Sequence, residues 1–410
     1  MIIVLSDAKV FDGESADIGD PRHVVVEEGR IREVASGKRP TFPGALEIPC
    51  RGRHLMPGLI DAHFHACSPS WDIRGSDRMP PSLMALHAAR ILADALDRGF
   101  TTVRDAAGAD IGLGRALESG LIQGPRLRYC GRALSQIGGH GDMRAAEEGE
   151  TCGCHGYGGL LSQTVDGPDE LRRAVREELR RGAHQIKLFV SGGVLSPTDP
   201  LRMRQFSDDE VRVAVEEAAS RERYVMAHCH TDSGSARCAA LGVRSIEHGT
   251  LIEHDETARS IAAAGAFVVP TLSVVDALGK SGGGKSLAPA MREKLDLVGD
   301  GALRAIEICR RNGVKLGLGT DLFDYASHPL QSGELELRGR VERPIDVLRS
   351  ATSVNAELLQ IDDEVGRIAP GMRADLLVLD FDPLQELGGF RDKARIPILM
   401  QAGRFIRNGL

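Results

Sequence analysis

The chain has 410 residues, 42% of them hydrophobic and 27% charged, with 51 Lys and Arg against 58 Asp and Glu for a formal net charge of −7. This is an ordinary globular composition, long enough for a large domain plus a smaller one. The basic residues are scattered among acids, which leaves nucleic acid no electrostatic footprint, and no stretch approaches the roughly 18 to 20 apolar residues of a membrane span.

Eight cysteines, spread irregularly, make no disulfide framework, so reduced thiols are the expectation. The first residues form a short apolar run with no basic region before it and no small-residue cleavage site after it. It is read as a strand rather than a signal, and the protein as cytoplasmic. Through the first fifty residues, β-type runs at 2–5, 8–13 and 24–31 alternate with turn signals, the pattern of a small β-meander. A matching pattern closes the chain at 371–380 and 403–409, and the two ends are expected to pair into one β-domain.

Between these ends, helical stretches at 82–98, 168–181, 207–221 and 293–312 alternate with short apolar strands at 101–105, 185–190, 224–228, 245–248, 267–270 and 316–321. Such alternation predicts an α/β fold, a (β/α)8 TIM barrel. A doubly wound open sheet is the alternative, but no G-x-G-x-x-G opens any of these helices. The predicted division is a barrel at 56–364 and a small β-sandwich domain formed by 1–55 and 365–410. The cluster Cys152, Cys154 and His155 has no second Cys or His pair at structural-zinc spacing and is read as a Gly-rich loop.

The strongest local signal is PGLIDAHFH at 57–65. In a strand, residues two apart face the same side, so His63 and His65 project together. A lone H-x-H is weak. It gains weight because Lys187, His228, His248 and Asp321 each sit at the C-terminal end of a predicted strand, where barrels place their active sites. A lysine on an apolar strand, as in IKLF, is costly as a bare buried ammonium. His140, in GGHGD, has glycines on both sides that permit a sharply turned backbone.

Taken together, PGLIDAHFH, SQIGGHGD (135–142), HGYGGLLSQTVDGPDELRRAVREELRRGAHQIKLFVSGGVLSPTDP (155–200), VRSIEHGT (243–250), LGLGTD (316–321) and GRIAPGMRADLLVLD (366–380) resemble the amidohydrolase superfamily. The resemblance is to its binuclear, prolidase-like and arginine-carboxypeptidase-like branch, related to imidazolonepropionase, and covers nearly the whole chain. It implies that His63, His65 and Asp321 hold one divalent ion and His228 and His248 a second. Lys187 carries CO2 as a bridging carbamate. Zinc is the expected metal. His228 is preferred over His230 because it lies twenty residues before the His of the IEH motif, the family's spacing. His230 then falls where relatives often carry a Tyr near the substrate carboxylate, and His140 matches a histidine that polarises the scissile carbonyl.

The implied reaction is hydrolysis of an amide bond in a dipeptide, Xaa-Pro or similar, or an N-acyl amino acid, by water activated between the metals. Asp321 would take its proton and pass it to the leaving amine. An arginine from a mouth loop is expected at the carboxylate. Trp71 and Tyr325 are expected on mouth loops, where they would favour an apolar or aromatic acyl group. His23, His54, His87, His155, His184 and His254 are read as structural or solvated, and His328 as a loop residue over the site. The alternatives are another carbonyl substrate, such as a phenylurea, carbamate, cyclic amide or amide toxin, and a catalytically inactive scaffold. Deamination fits less well, because such relatives generally use one metal and lack the bridging lysine. The expected partners are a small-molecule substrate and copies of the same chain, with no nucleic acid and no membrane.

Overall fold

Short apolar runs bounded by glycine, proline and asparagine become strands in the computed structural model, which describes residues 1–145, 147–148, 159–196, 199–280 and 287–410. The cluster at Cys152, Cys154 and His155 lies outside the described residues. The chain forms two compact units: Met1–Asp61, Asp94–Val103 and Ser332–Leu410 make one, and Ala62–Ala93 with Arg104–Gln331 the other.

In the first unit, strand Ile2–Val10 pairs antiparallel with Arg22–Glu27, which pairs with Arg30–Ser36. Lys9 and Val10 run beside strand His54–Pro57, which takes Leu376–Leu379 antiparallel on its other side. Ile398–Gln401 and Arg404–Asn408 complete the order. The two runs expected at 2–5 and 8–13 are one strand with a register shift between Leu5 and Ala8, where Asp7 turns left-handed at φ 57°. Alternating residues of these strands, among them Ile3, Leu5, Val24, Val26, Leu55, Leu376, Val378 and Met400, form one buried core. The N- and C-terminal strands therefore share a sheet, and neither terminal segment buries its apolar face alone.

Beyond these strands, the seven strands of one further sheet pair in parallel, and from Gln185–Phe189 to Phe267–Val269 each is followed by a helix. This sheet runs in the order Ser162–Thr164, Ala133–Ser135, Gln185–Phe189, Tyr224–Thr231, Ser245–Leu251, Phe267–Val269 and Lys315–Leu316. A second holds Leu59–Phe64, Phe100–Asp105 and Arg126–Arg128. Backbone bonds join their edges. Ala62 donates to Leu318 at 2.8 Å, Thr320 and Asp321 donate to the His63 carbonyl at 3.1 and 2.8 Å, and His184 donates to Tyr129 at 2.9 Å. The result is an α/β barrel whose strand ends gather on one rim.

The expected strand at 316–321 keeps its ladder only to Leu316. Beyond it the chain is irregular because Asp321 is left-handed and because Gly319 presses against its neighbours: a Cβ there would lie 2.6 Å from the His63 Cβ and 2.6 Å from Val269. The helices follow their sequence signals. Ser207 and Glu210 form a reciprocal capping box that starts Asp208–Ala219, and prolines open Pro168–Arg180 and Pro289–Arg311. Strands Ala133–Ser135 and Ser162–Thr164 were not legible in the sequence, being three residues each. Among the described residues, no helix is long and apolar enough to cross a membrane.

Leu376 is fully buried in the terminal sheet. Leu376→Ala is expected to cost about 2–5 kcal/mol, read as a lower urea midpoint with an unchanged slope.

Candidate metal centre

Period-two geometry at the end of strand Leu59–Phe64 sends His63 and His65 to the same side, as their spacing requires. Asp321 meets them: its Oδ1 stands 3.3 Å from His63 Nε2 and 2.9 Å from His65 Nε2. These three offer ligand atoms within 4.8 Å of one another, and so do His228, His230 and His248. Every residue of both groups is buried or nearly so. His248 and Asp321 are both left-handed, at φ 74° and 56°. Such backbone is uncommon outside glycine, although Asp and His tolerate it better than most residues, and it clusters at functional sites.

The first group is oriented from behind. His63 Nδ1 stands 2.6 Å from Glu247 Oε2, and Arg104 donates to Glu247 Oε1 at 2.8 Å; Arg104 and Glu247 are fully buried. A carboxylate can only accept, so His63 carries its proton on Nδ1 and turns Nε2 toward Asp321. Burial would raise the Glu247 carboxyl, yet the Arg104 charge and His63 pull it down to about 2. His63 is shifted the other way: burial and Lys187 oppose its protonation, but Asp321 and Glu247 outweigh them and raise it. Asp321, despite burial, is held well below the usual carboxylate range by His63 and by hydrogen bonds from His63 and His65.

The second group is kept neutral. Burial, then the neighbouring histidines and Lys187, hold His228 and His248 well below their ordinary pKa, and burial brings His230 to about 3. His228 Nε2 faces the Gly192 carbonyl at 3.1 Å. A carbonyl cannot donate, so the proton is on Nε2 and the Nδ1 lone pair is bare. His248 Nδ1 and His230 Nδ1 stand 2.8 Å from the hydroxyls of Thr271 and Thr250. Lys187, on Gln185–Phe189, is 3% exposed, and burial lowers its pKa. It has no ion pair or hydrogen bond among the described residues. Two clusters of nitrogen and oxygen donors, neutral imidazoles, and a buried His65 Nδ1 without a partner are the chemistry that divalent ions of borderline softness fit.

His140 stacks on His228 with ring centroids 4.3 Å apart, and its Nδ1 stands 2.6 Å from Ser196 Oγ and 3.6 Å from Asp199. All eight residues singled out in the sequence therefore meet around one cavity, whose empty space, open mouth included, is about 940 Å3. The rest of the lining is largely apolar: Met143, Phe189, Val194, Val274, Leu295 and Phe323 belong to it. Lys187 is the only Lys or Arg among the described lining residues.

Other expected residues lie elsewhere. His328 packs on Phe64 and does not line the cavity. Tyr325 is 2.6 Å from His87, and Trp71 packs on Phe323 behind the wall. Glu247, Arg104, Ser196 and Asp199 were not singled out in the sequence. The available signal was a charge inside an apolar strand, as in SIEHGT and TTVRD.

A model of the amidohydrolase family matches residues 54–406. Ochratoxinase of Aspergillus niger is 33% identical over 371 residues, covering 86% of this chain and 75% of that protein. Among solved structures, an amidohydrolase is 44% identical with a TM-score of 0.95, and a prolidase in complex with N-methylphosphonate-L-proline is 42% identical with a TM-score of 0.94. Each alignment covers 100% of both chains.

Arg104→Met leaves the Glu247 carboxylate buried without its cation. The variant is expected to lose about 3–5 kcal/mol of stability, measured by chemical denaturation of metal-stripped protein at neutral pH.

Proposed function

The chain belongs to the amidohydrolase family, on its prolidase-like branch, and we propose that it is a two-metal hydrolase that cleaves the amide bond of a dipeptide or N-acyl amino acid. The observation that carries this reading is the pair of buried donor groups with Lys187 lining the same cavity. His63, His65 and Asp321 would hold one ion and His228 and His248 the other, with zinc the best match to the donor set. The bare Nδ1 of His228 supports its choice over His230. A buried lysine without an ion pair, its pKa lowered by burial, gives up its proton more readily to become the amine that takes up CO2, and the resulting carbamate would add charged oxygen donors to the site.

When bound, such ions supply an acidified water and positive charge for the developing oxyanion. The chain's own groups do the rest. Asp321, the one carboxylate of the two donor groups, would accept the proton of the attacking water and return it to the leaving nitrogen. His140, its Nδ1 engaged by Ser196 and Asp199, would donate from Nε2 to the scissile carbonyl. His230, at the cavity and tied to Thr250, would face the substrate carboxylate. The apolar wall would seat the acyl group. It also favours a second reading, hydrolysis of a bulky amide of another kind, in line with the likeness to ochratoxinase. The proposal includes a small β-sandwich domain formed by 1–55 and 365–410, a hydrolase barrel at 56–364, a cytoplasmic location and assembly with copies of the same chain.

Purified with zinc and bicarbonate, the protein is expected to release amino acid from dipeptides or N-acyl amino acids with apolar acyl groups. Zinc-loaded, folded protein that releases none would move the assignment to ureas, carbamates or cyclic amides. His63→Ala should lower kcat at least on the order of 100-fold, as loss of a direct ligand exceeds loss of its support. Its bound zinc, read by mass spectrometry, should fall by about half.

A further inference from the structure

The chain that leaves strand Gln185–Phe189 touches two of the site's histidines. The Gly192 carbonyl accepts from His228 Nε2, and Ser196 and Asp199 both face His140 Nδ1. Asp199 Oδ2 also accepts from the Gly193 N–H at 3.0 Å and from Gln205 Nε2 at 3.2 Å, while Gln205 Oε1 accepts the His140 N–H at 3.0 Å. The His140 ring lies so close to Gly193 that a Cβ at that position would run into it. His140 thus sits in a socket built by Gly193, Ser196, Asp199 and Gln205.

No regular secondary structure holds Gly193, Ser196 and Asp199 in place. A lysine from another element does. Lys294, on helix Pro289–Arg311, donates from Nζ to the carbonyls of Gly193 at 3.0 Å, Ser196 at 3.2 Å and Asp199 at 2.6 Å. An ammonium has three protons and no acceptor, so all three of its hydrogen bonds close on this one segment. Its neighbour Leu295 lines the cavity, and one helix therefore supplies both the apolar wall and the clamp.

We propose that Lys294 is a positioning residue: its ammonium gathers the Gly193, Ser196 and Asp199 carbonyls and so fixes the socket that aims His140 into the cavity. It touches no reacting atom. The inference rests on the reading of His140 as the group that polarises the scissile carbonyl. A lysine that only staples the helix to this segment would, when removed, lower the melting temperature and leave turnover alone.

The test is Lys294→Met and His140→Ala, singly and combined, assayed on the best substrate of the panel above, with zinc content, melting temperature and a crystal structure of Lys294→Met. Expected are a fall in kcat on the order of 10- to 100-fold for Lys294→Met, the size that a misplacement of about 1 Å produces, with KM within about threefold. Zinc content should match the wild type, the His140 ring should be displaced, and Lys294→Met should cost less than about twofold more on top of His140→Ala. If His140→Ala is impaired but Lys294→Met turns over normally, or if the two losses multiply in the double variant, the clamp proposal is overturned and the catalytic reading stands. If His140→Ala turns over normally, the role of His140 falls and the clamp proposal with it. Should Lys294→Met fail to fold, Lys294→Gln, which keeps two N–H donors, is read by the same criteria.

Discussion

A carboxylate with no access to water has to be matched on every side, and in this protein that carboxylate is Glu247. Arg104 takes one oxygen and His63 the other, and Ser245 adds a hydroxyl. Three strands, Leu59–Phe64, Phe100–Asp105 and Ser245–Leu251, meet in that one buried network, and Arg104 ties them further through the Ala62 carbonyl at 2.5 Å. The arrangement is all or nothing: satisfied it specifies a single register, and with one partner missing it strands a charge in the interior. Its chemical product is the orientation of His63, whose Nε2 is thereby turned toward Asp321.

The second histidine group is governed by the opposite rule, the exclusion of charge. His228, His230 and His248 stand so deep that burial keeps them neutral, each with one ring nitrogen facing a carbonyl or a threonine hydroxyl. Lys187 meets the same desolvation, which outweighs the opposing charges of Glu247 and Asp321. A charged Glu247 behind and a set of neutral donors in front are two results of one low-dielectric interior. The left-handed residues His248 and Asp321 add local strain, of order 1–3 kcal/mol each, which the surrounding barrel holds in place.

Much of this was legible in the sequence, for a simple reason. Strand periodicity is two, so the spacing of His63 and His65 alone places them on one face, and strand-helix alternation places His228, His248 and Asp321 on one rim. Local pattern carries such information. What it could not carry were pairings between distant segments. Arg104 and Glu247 are 143 positions apart, and Lys294 reaches a segment that begins 101 positions before it. The two nearest ring partners of His140, Ser196 and Asp199, sit among glycines and prolines that give no periodic signal. His328, Trp71 and Tyr325 were expected near the mouth from their place after strand ends, but a loop residue's direction follows from packing: His328 turned to Phe64 and Tyr325 to His87.

The apolar wall has a further meaning for the thermodynamics of the molecule. Val194, Val274, Leu278, Leu295, Val298 and Phe323 line the cavity and also make up most of a buried core cluster. A substrate's hydrocarbon group entering that space plays the part of a missing core side chain, removing from water the same surfaces that a leucine would cover. Recognition and folding then draw on one free energy. A ligand that binds the folded chamber and not the unfolded chain stabilises the fold by RT ln(1 + [L]/Kd), so at one fixed concentration thermal stabilisation ranks candidate acyl groups by affinity before any bond is cut.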